Sequence, residues 1–253
     1  MLSKNRIKQI KSLERKKERT ESGLFLAEGN KLIADIWGVF ECELLVAKPC
    51  WMATQGDLKA KELIVAEEGD IEKASLLKTP QDVLAVFVQP STPLNPEVLK
   101  EELSLVLDGI QDPGNLGTII RLADWFGIKN IICSPDSADV YNPKTVQASM
   151  GGIAHVNVFY RSLTELLDEL PDLPVYGTFL DGENIYCEKL DSKGLIIMGN
   201  EGKGIRPDLE KRITNRLYIP NFPPEAESTE SLNVAVATAV ICAEFRRQQV
   251  YSV

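Results

Sequence analysis

The stretch Leu107-Asp108-Gly109-Ile110-Gln111-Asp112-Pro113-Gly114-Asn115-Leu116-Gly117-Thr118-Ile119-Ile120-Arg121 constrains this chain more than any other. The residues 103–107 read as a buried-type strand, and they run into a loop with three glycines and one proline. The loop opens a helix whose apolar stripe is Leu116, Ile119, Ile120 and Ala123, with Arg121 on the polar side. A strand, a glycine-rich turn and a helix N-terminus together are how α/β proteins hold an anionic or nucleotide-like ligand.

The surrounding pattern fits that class. Strands are predicted at 103–107, 130–134, 156–160, 175–180, 195–199 and 217–219. Helices are predicted at 116–126, 144–150, 163–170, 207–212 and 232–248. Such alternation implies βαβ units and a mostly parallel sheet with helices on both faces. The segment Gln89-Pro90-Ser91-Thr92-Pro93-Leu94-Asn95-Pro96 holds three prolines, which stiffen the backbone and remove donors, so it reads as a linker. The chain therefore divides into a small α/β domain over 1–89, a linker over 90–100 and a larger domain over 101–253. In the first part a helix is predicted over 3–19, and Gly29-Asn30 interrupts a second helical segment. Short strands follow at 43–47, 63–66 and 83–89, with a helix at 71–77.

Charge narrows the function. The net charge of −9 argues against a protein that coats nucleic acid with its whole surface. Yet Lys4, Arg6, Lys8, Lys11, Arg15, Lys16, Lys17 and Arg19 face only Glu14 and Glu18 within the first twenty residues, which suggests a local anionic contact or a solvated basic helix face. The five cysteines show no paired spacing, so neither a disulfide framework nor a zinc site is expected, and a reducing, cytoplasmic compartment fits. The charged opening of the chain predicts no signal peptide. The weakly polar run 234–243 is shorter than the ~20 residues of a membrane span. The last helix is apolar almost all round, as expected of one buried or covered by a partner subunit.

Familiar reaction machinery is scarce. His155 is the single histidine, a poor basis for a nucleophilic triad. The spacing of Gly199-Asn200-Glu201-Gly202-Lys203-Gly204 fits neither the dinucleotide turn nor the phosphate loop. Three segments remain, each at the C-terminal end of a predicted strand, where open α/β sheets bind ligands. They are 115–121, 198–204, and Ile219-Pro220 with Ser231-Leu232-Asn233. Taken singly, Asn115 and Ser231 could be helix caps, Arg121 a solvated residue and the glycines a turn.

Together they resemble the SpoU (TrmH-like) branch of the SPOUT methyltransferases, which methylate ribose 2′-hydroxyls of RNA. Asn115, Gly117, Arg121, Ala123, Phe126 and Gly127 match the family's N-x-G-x-x-x-R-x-A-x-x-F-G motif. Gly199-Asn200-Glu201 with Gly202 and Gly204 resembles its G-[SN]-E-x-x-G motif. Ile219-Pro220 and Ser231-Leu232-Asn233-Val234-Ala235 resemble its I-P-M and S-L-N-V-[SA] motifs. Pro143-Lys144 and Ala148-Ser149-Met150-Gly151 resemble a further segment between them. Lys8, Ile10, Leu13, Lys16 and Arg19, then Gly23, Phe25, Glu28 and Gly29, resemble the family's substrate-binding domain, a unit of ribosomal-protein type. Two departures stand out. Asn221 replaces the methionine after Ile-Pro, and the loop 222–230 is long and carries Glu225, Glu227 and Glu230.

The resemblance implies S-adenosylmethionine as cofactor, a C-terminal trefoil knot, and a homodimer with the last helix in its interface. It implies cofactor contacts at Gly199, Ile219 and Leu232, with Leu180 as an apolar wall. It makes Arg121 the central catalytic residue, with Asn115, Glu201, Ser231 and Asn233 orienting it and the ribose. Lys4, Lys8, Lys11, Arg15, Lys16, Arg19 and Lys144 become the RNA contacts; neither DNA nor a membrane is expected as a partner, and no metal is implied. Large-subunit ribosomal RNA fits the two-domain layout best. The competing readings are a tRNA 2′-O-methyltransferase and a non-catalytic RNA-binding or ribosome-assembly factor that keeps the fold.

Overall fold

The computed structural model describes residues 2–223 and 231–251. The acidic positions Glu225, Glu227 and Glu230 lie outside the described residues. From the N-terminus the elements are α1 (Lys4–Ser12), α2 (Lys16–Ser22), β1 (Leu24–Glu28), α3 (Asn30–Ile36), β2 (Cys42–Ala47), α4 (Pro49–Met52), β3 (Ala60–Val65), α5 (Asp70–Ala74) and β4 (Val83–Val88). After a 3-10 turn at Pro96–Lys100 come β5 (Leu103–Leu107), α6 (Pro113–Trp125), β6 (Asn130–Cys133), α7 (Pro143–Ser149), β7 (Asn157–Tyr160), α8 (Leu163–Glu169), β8 (Val175–Asn184), β9 (Gly194–Met198), α9 (Pro207–Glu210), β10 (Asn215–Tyr218) and α10 (Val234–Val250).

Contacts group the chain into two compact units. The first is Met1–Thr92 with Asp139–Ala154. Its sheet has the order β1-β4-β2-β3, with β4 antiparallel to both neighbours and β3 parallel to β2. One core packs Ile10 and Leu13 against Leu26, Val46, Leu84 and Val86. The segment Asp139–Ala154, which sequence alone assigns to the 101–253 domain, is counted here. Tyr141 sits 4.8 Å from the Phe25 ring, and Asp139 accepts from Arg19.

That last contact changes two expectations. The helix predicted over 3–19 is two helices, α1 and α2. Between them the N–H groups of Leu13, Glu14 and Arg15 reach back three residues instead of four. The break frees the carbonyls of Leu13 and Glu14, and Arg19 Nη1 donates to both at 2.7 and 2.8 Å. Its Nε and Nη2 donate to Asp139 Oδ2 at 2.9 and 2.5 Å, and the residue is 1% exposed. Arg19 is therefore not an RNA contact, because four of its five donors are used inside the fold and the residue is enclosed. The second helical segment is also corrected: the part before Gly29 is strand β1. Gly29 sits at φ +108, where a side chain is strained, and it turns the chain into α3.

The second unit is Pro93–Ala138 with His155–Val253. Its six strands are all parallel, in the order β10-β8-β9-β5-β6-β7. β5 and β9 are buried along their whole length, which explains their apolar sequences. From β5 the chain fills the sheet outward through β6 and β7, and then returns to fill the other side through β8, β9 and β10. The switch point therefore lies between β5 and β9, and ligands of such sheets bind there, beyond the carboxyl ends of the strands. Among the described residues no helix is long and apolar enough to cross a membrane.

Candidate active site

The loops after β5, β9 and β10 meet at that switch point. The side chain of Asn115, in the first turn of α6, donates to Glu201 Oε1 at 2.8 Å, and its Oδ1 accepts from Asn233 Nδ2 at 3.0 Å. One asparagine thus joins the loop after β9 to the start of α10. Asn115 is not a helix cap: that role belongs to Asp112, which accepts from the Asn115 backbone N–H at 2.8 Å. Ser231 does not cap α10 either. Asn233 does, its Oδ1 accepting from Ala235 and Val236 at 3.0 and 3.3 Å. A cap of this kind contributes ~1 kcal/mol. Asn233 therefore spends its oxygen on the helix and its amide on Asn115, which fixes its rotamer from two sides.

Beside this chain lies a cavity of about 310 Å³ lined by Leu180, Gly199, Ile219 and Leu232, with Glu201 and Ser231 also on its wall. These are the residues expected to contact a cofactor, brought to one place from β8 and the loops after β9 and β10. Its volume suits a nucleoside-sized ligand, and apolar walls with backbone donors and acceptors suit an adenine. At Gly199 a Cβ would stand 2.4 Å from the Gly204 carbonyl carbon, so the loop folds back onto its own first residue and only glycine fits. Asn221, the departure after Ile-Pro, accepts from the Tyr218 hydroxyl at 3.1 Å.

Arg121 stands apart. It is exposed on α6, about 9 Å along the axis from Asn115, and makes no hydrogen bond or ion pair with any described residue. His155 is also exposed, its Nδ1 3.1 Å from Asp124 Oδ1, away from the polar chain. Lys4, Lys8, Lys11, Arg15 and Lys16 are exposed on the first unit, as is Lys144 on α7. Among the described residues no group of three or more His, Cys, Asp or Glu could hold a metal ion.

Residues assigned no role of their own from sequence hold the site's frame. Asp108 follows the last residue of β5, is 1% exposed, and takes the Arg206 backbone N–H at 2.8 Å and its Nε at 2.6 Å. The hydrogen bond to Asp108 raises the Arg206 pKa further above its ordinary value. Asn200 donates to the Gly109 carbonyl at 2.7 Å, and the Gly109 N–H donates to Ser134 Oγ at 2.8 Å. The available signal was a charged residue ending a strand of buried type. At the far end of α10, Arg246 donates to the carbonyls of Phe126 and Gly127 at 2.6 and 3.1 Å, closing the C-terminus of α6.

Residues 102–243 match the SpoU rRNA methylase family, and residues 4–85 match the MRM3-like substrate-binding domain. The chain is 33% identical to RlmP, the 23S rRNA (guanosine(2553)-2′-O)-methyltransferase of Bacillus subtilis, over 95% of this chain and 96% of that one. A putative RNA methyltransferase of the TrmH family from Porphyromonas gingivalis superposes with a TM-score of 0.89 at 40% identity, covering 98% of this chain and 99% of the other. The SpoU methyltransferase AviRb of Streptomyces viridochromogenes, solved in complex with AdoMet, superposes with a TM-score of 0.83 at 25% identity, over 98% and 99% of the two chains. The chain belongs to the SpoU rRNA methylase family.

Proposed function

We propose that this protein is an S-adenosylmethionine-dependent methyltransferase acting on a ribose 2′-hydroxyl of large-subunit ribosomal RNA, in the cytoplasm. The observation that carries the reading is the Asn233–Asn115–Glu201 hydrogen-bond chain beside the cavity lined by Leu180, Gly199, Ile219 and Leu232. Relatives named for ribose methylation of 23S rRNA support the choice of RNA.

When bound, S-adenosylmethionine supplies a sulfonium methyl group that is already activated for displacement. The chain's own residues have two tasks: to align the ribose 2′-oxygen and to ease the loss of its proton. A guanidinium is not deprotonated in proteins, so Arg121 is not the base. Its free fork grips the adjacent phosphate and stabilises negative charge growing on the 2′-oxygen. Glu201, held by Asn115, and Ser231 orient the ribose.

RNA is held on the first unit by Lys4, Lys8 and Lys11, which follow each other at i, i+4 and i+7 on the side of α1 away from buried Ile10, and by Arg15, Lys16 and Lys144. A homodimer through the second unit belongs to the same reading. Trp125 at the end of α6 is 82% exposed, and Val236 near the start of α10 is about half exposed, apolar side chains that a second copy would cover. A C-terminal trefoil knot, implied by the family resemblance, completes it.

Mapping ribose methylation across total RNA with and without the gene tests the function. One large-subunit nucleotide should lose its methyl group in the deletion and regain it on addition of the purified protein. Calorimetric titration separates the non-catalytic alternative, which requires that S-adenosylmethionine not bind.

A further inference from the structure

We propose that Asp108 is a positioning residue for methyl transfer: with Arg206 it clamps the loop 199–206 in the shape that binds the cofactor and presents Glu201. The proposal rests on the S-adenosylmethionine reading above.

The loop is pinned at both ends to two consecutive residues beyond β5. At its entry, Asn200 Nδ2 donates to the Gly109 carbonyl at 2.7 Å. At its exit, the Asp108 carboxylate holds one residue by both its main chain and its side chain. Oδ2 accepts the Arg206 backbone N–H at 2.8 Å, and Oδ1 accepts Nε at 2.6 Å and pairs with Nη2 at 2.5 Å. Between the pins the loop closes on itself, Asn200 N–H to the Gly204 carbonyl at 3.0 Å and Gly204 N–H to the Asn200 carbonyl at 2.9 Å. Asn200 Oδ1 accepts from Gly202 and Lys203 within that turn, both at 3.0 Å. Two functional features ride on the pinned segment: Gly199 on the cavity wall, and Glu201, the partner of Asn115.

β5 is a rigid, fully buried strand, so its end is a fixed reference for the loop. Asp108 itself is buried, and its N–H donates to the Met198 carbonyl at 2.9 Å, directly before Gly199. A buried carboxylate is retained only where its partners satisfy it. Here the partner, Arg206, has a half-exposed side chain, with Asp136 3.6 Å away as a second, more exposed carboxylate. The pair thus joins an interior anchor to a surface loop. Loss of the clamp leaves the apolar walls in place and lets Gly199 and Glu201 drift, and misplacement by about 1 Å is enough to weaken a preorganised site.

The test compares D108N and R206K with the wild-type protein. In D108N the side chain keeps its size but turns an amide donor toward a guanidinium donor. In R206K the backbone N–H bond and the charge remain but the fork is lost. Calorimetry with S-adenosylmethionine should show Kd raised about tenfold in D108N and about threefold in R206K. kcat should fall in both, with KM for RNA within about twofold of wild type. A purely structural role would lower the unfolding midpoint and the binding stoichiometry while leaving Kd of the folded fraction unchanged, and that result would overturn the proposal. Should D108N fail to fold, R206K carries the test, and a wild-type Kd there is equally fatal. A wild-type protein that does not bind S-adenosylmethionine removes the proposed function itself. Wild-type binding with unchanged variants removes only the clamp.

Discussion

Arg19 and Arg121 carry the same guanidinium into opposite surroundings, one in each unit. Arg19 is enclosed, and its nitrogens are spent on Asp139 and on the carbonyls of Leu13 and Glu14. Arg121 is exposed on α6 with no partner among the described residues. A guanidinium has five donors in a fixed fork and no acceptor, so what it can bind depends on how many of those donors the fold has already taken. Arg19 has become a rivet for the break between α1 and α2 and for the segment Asp139–Ala154. Arg121 keeps its fork free, as its proposed grip on a phosphate requires. The difference teaches that residue type and a motif match name a candidate, while the count of free donors decides whether it can act on a ligand.

The sharpest way to break this contrast is to remove each arginine in turn. Arg19→Ala leaves Asp139 without its buried partner and two carbonyls without donors. It should destabilise the protein by about 3–5 kcal/mol in urea unfolding, with Arg19→Lys recovering part of the loss. A change below about 1 kcal/mol would return Arg19 to the surface. Arg121→Ala should leave the unfolding midpoint and S-adenosylmethionine affinity unchanged and lower kcat by about 10² to 10³. An Arg121→Ala enzyme with near-normal turnover would end its assignment, and an unimpaired Arg121→Lys would rule out a bidentate grip.

The contrast also marks where the sequence stops being informative. β5 and β9 were legible because strands buried on both faces read as apolar runs. β1 was not: its residues Leu24–Glu28 are nearly all buried, so no alternation separated it from the helix that follows. The α1–α2 break depends on Arg19, whose counter-ion lies 120 residues away. The site was legible as three motifs, yet which residues touch was not, since Asn115 meets Glu201 and Asn233 across 86 and 118 residues. Asp108 was passed over for the same reason: its meaning comes from Arg206, 98 residues on.

A smaller effect sharpens the functional side. Asn115 spends its amide on Glu201 and its oxygen on Asn233, so Asn115→Ala removes both links of the chain and Glu201→Gln weakens one of them. Each should lower kcat/KM about tenfold, the scale of one hydrogen bond to a charged group. The double variant should be little worse than either single one, because groups acting as a unit are not additive. Losses that multiply would mean that the two residues act separately.

The smallest effect separates two basic residues of the same N-terminal segment. Lys11 is exposed on α1 in line with Lys4 and Lys8, whereas Arg19 on α2 is buried. Binding through phosphates releases counterions, so the slope of log affinity against log salt counts the contacts made. Lys11→Gln should leave the unfolding midpoint alone and reduce that slope by about 1, weakening RNA binding evenly across sequences. Arg19→Lys, assayed under conditions where it is folded, should keep the wild-type slope, because Arg19 is enclosed and out of reach of RNA. If instead Arg19→Lys altered the slope and Lys11→Gln did not, the basic character of this segment would serve RNA through the enclosed residue, and the division of labour between buried and exposed cations would be reversed.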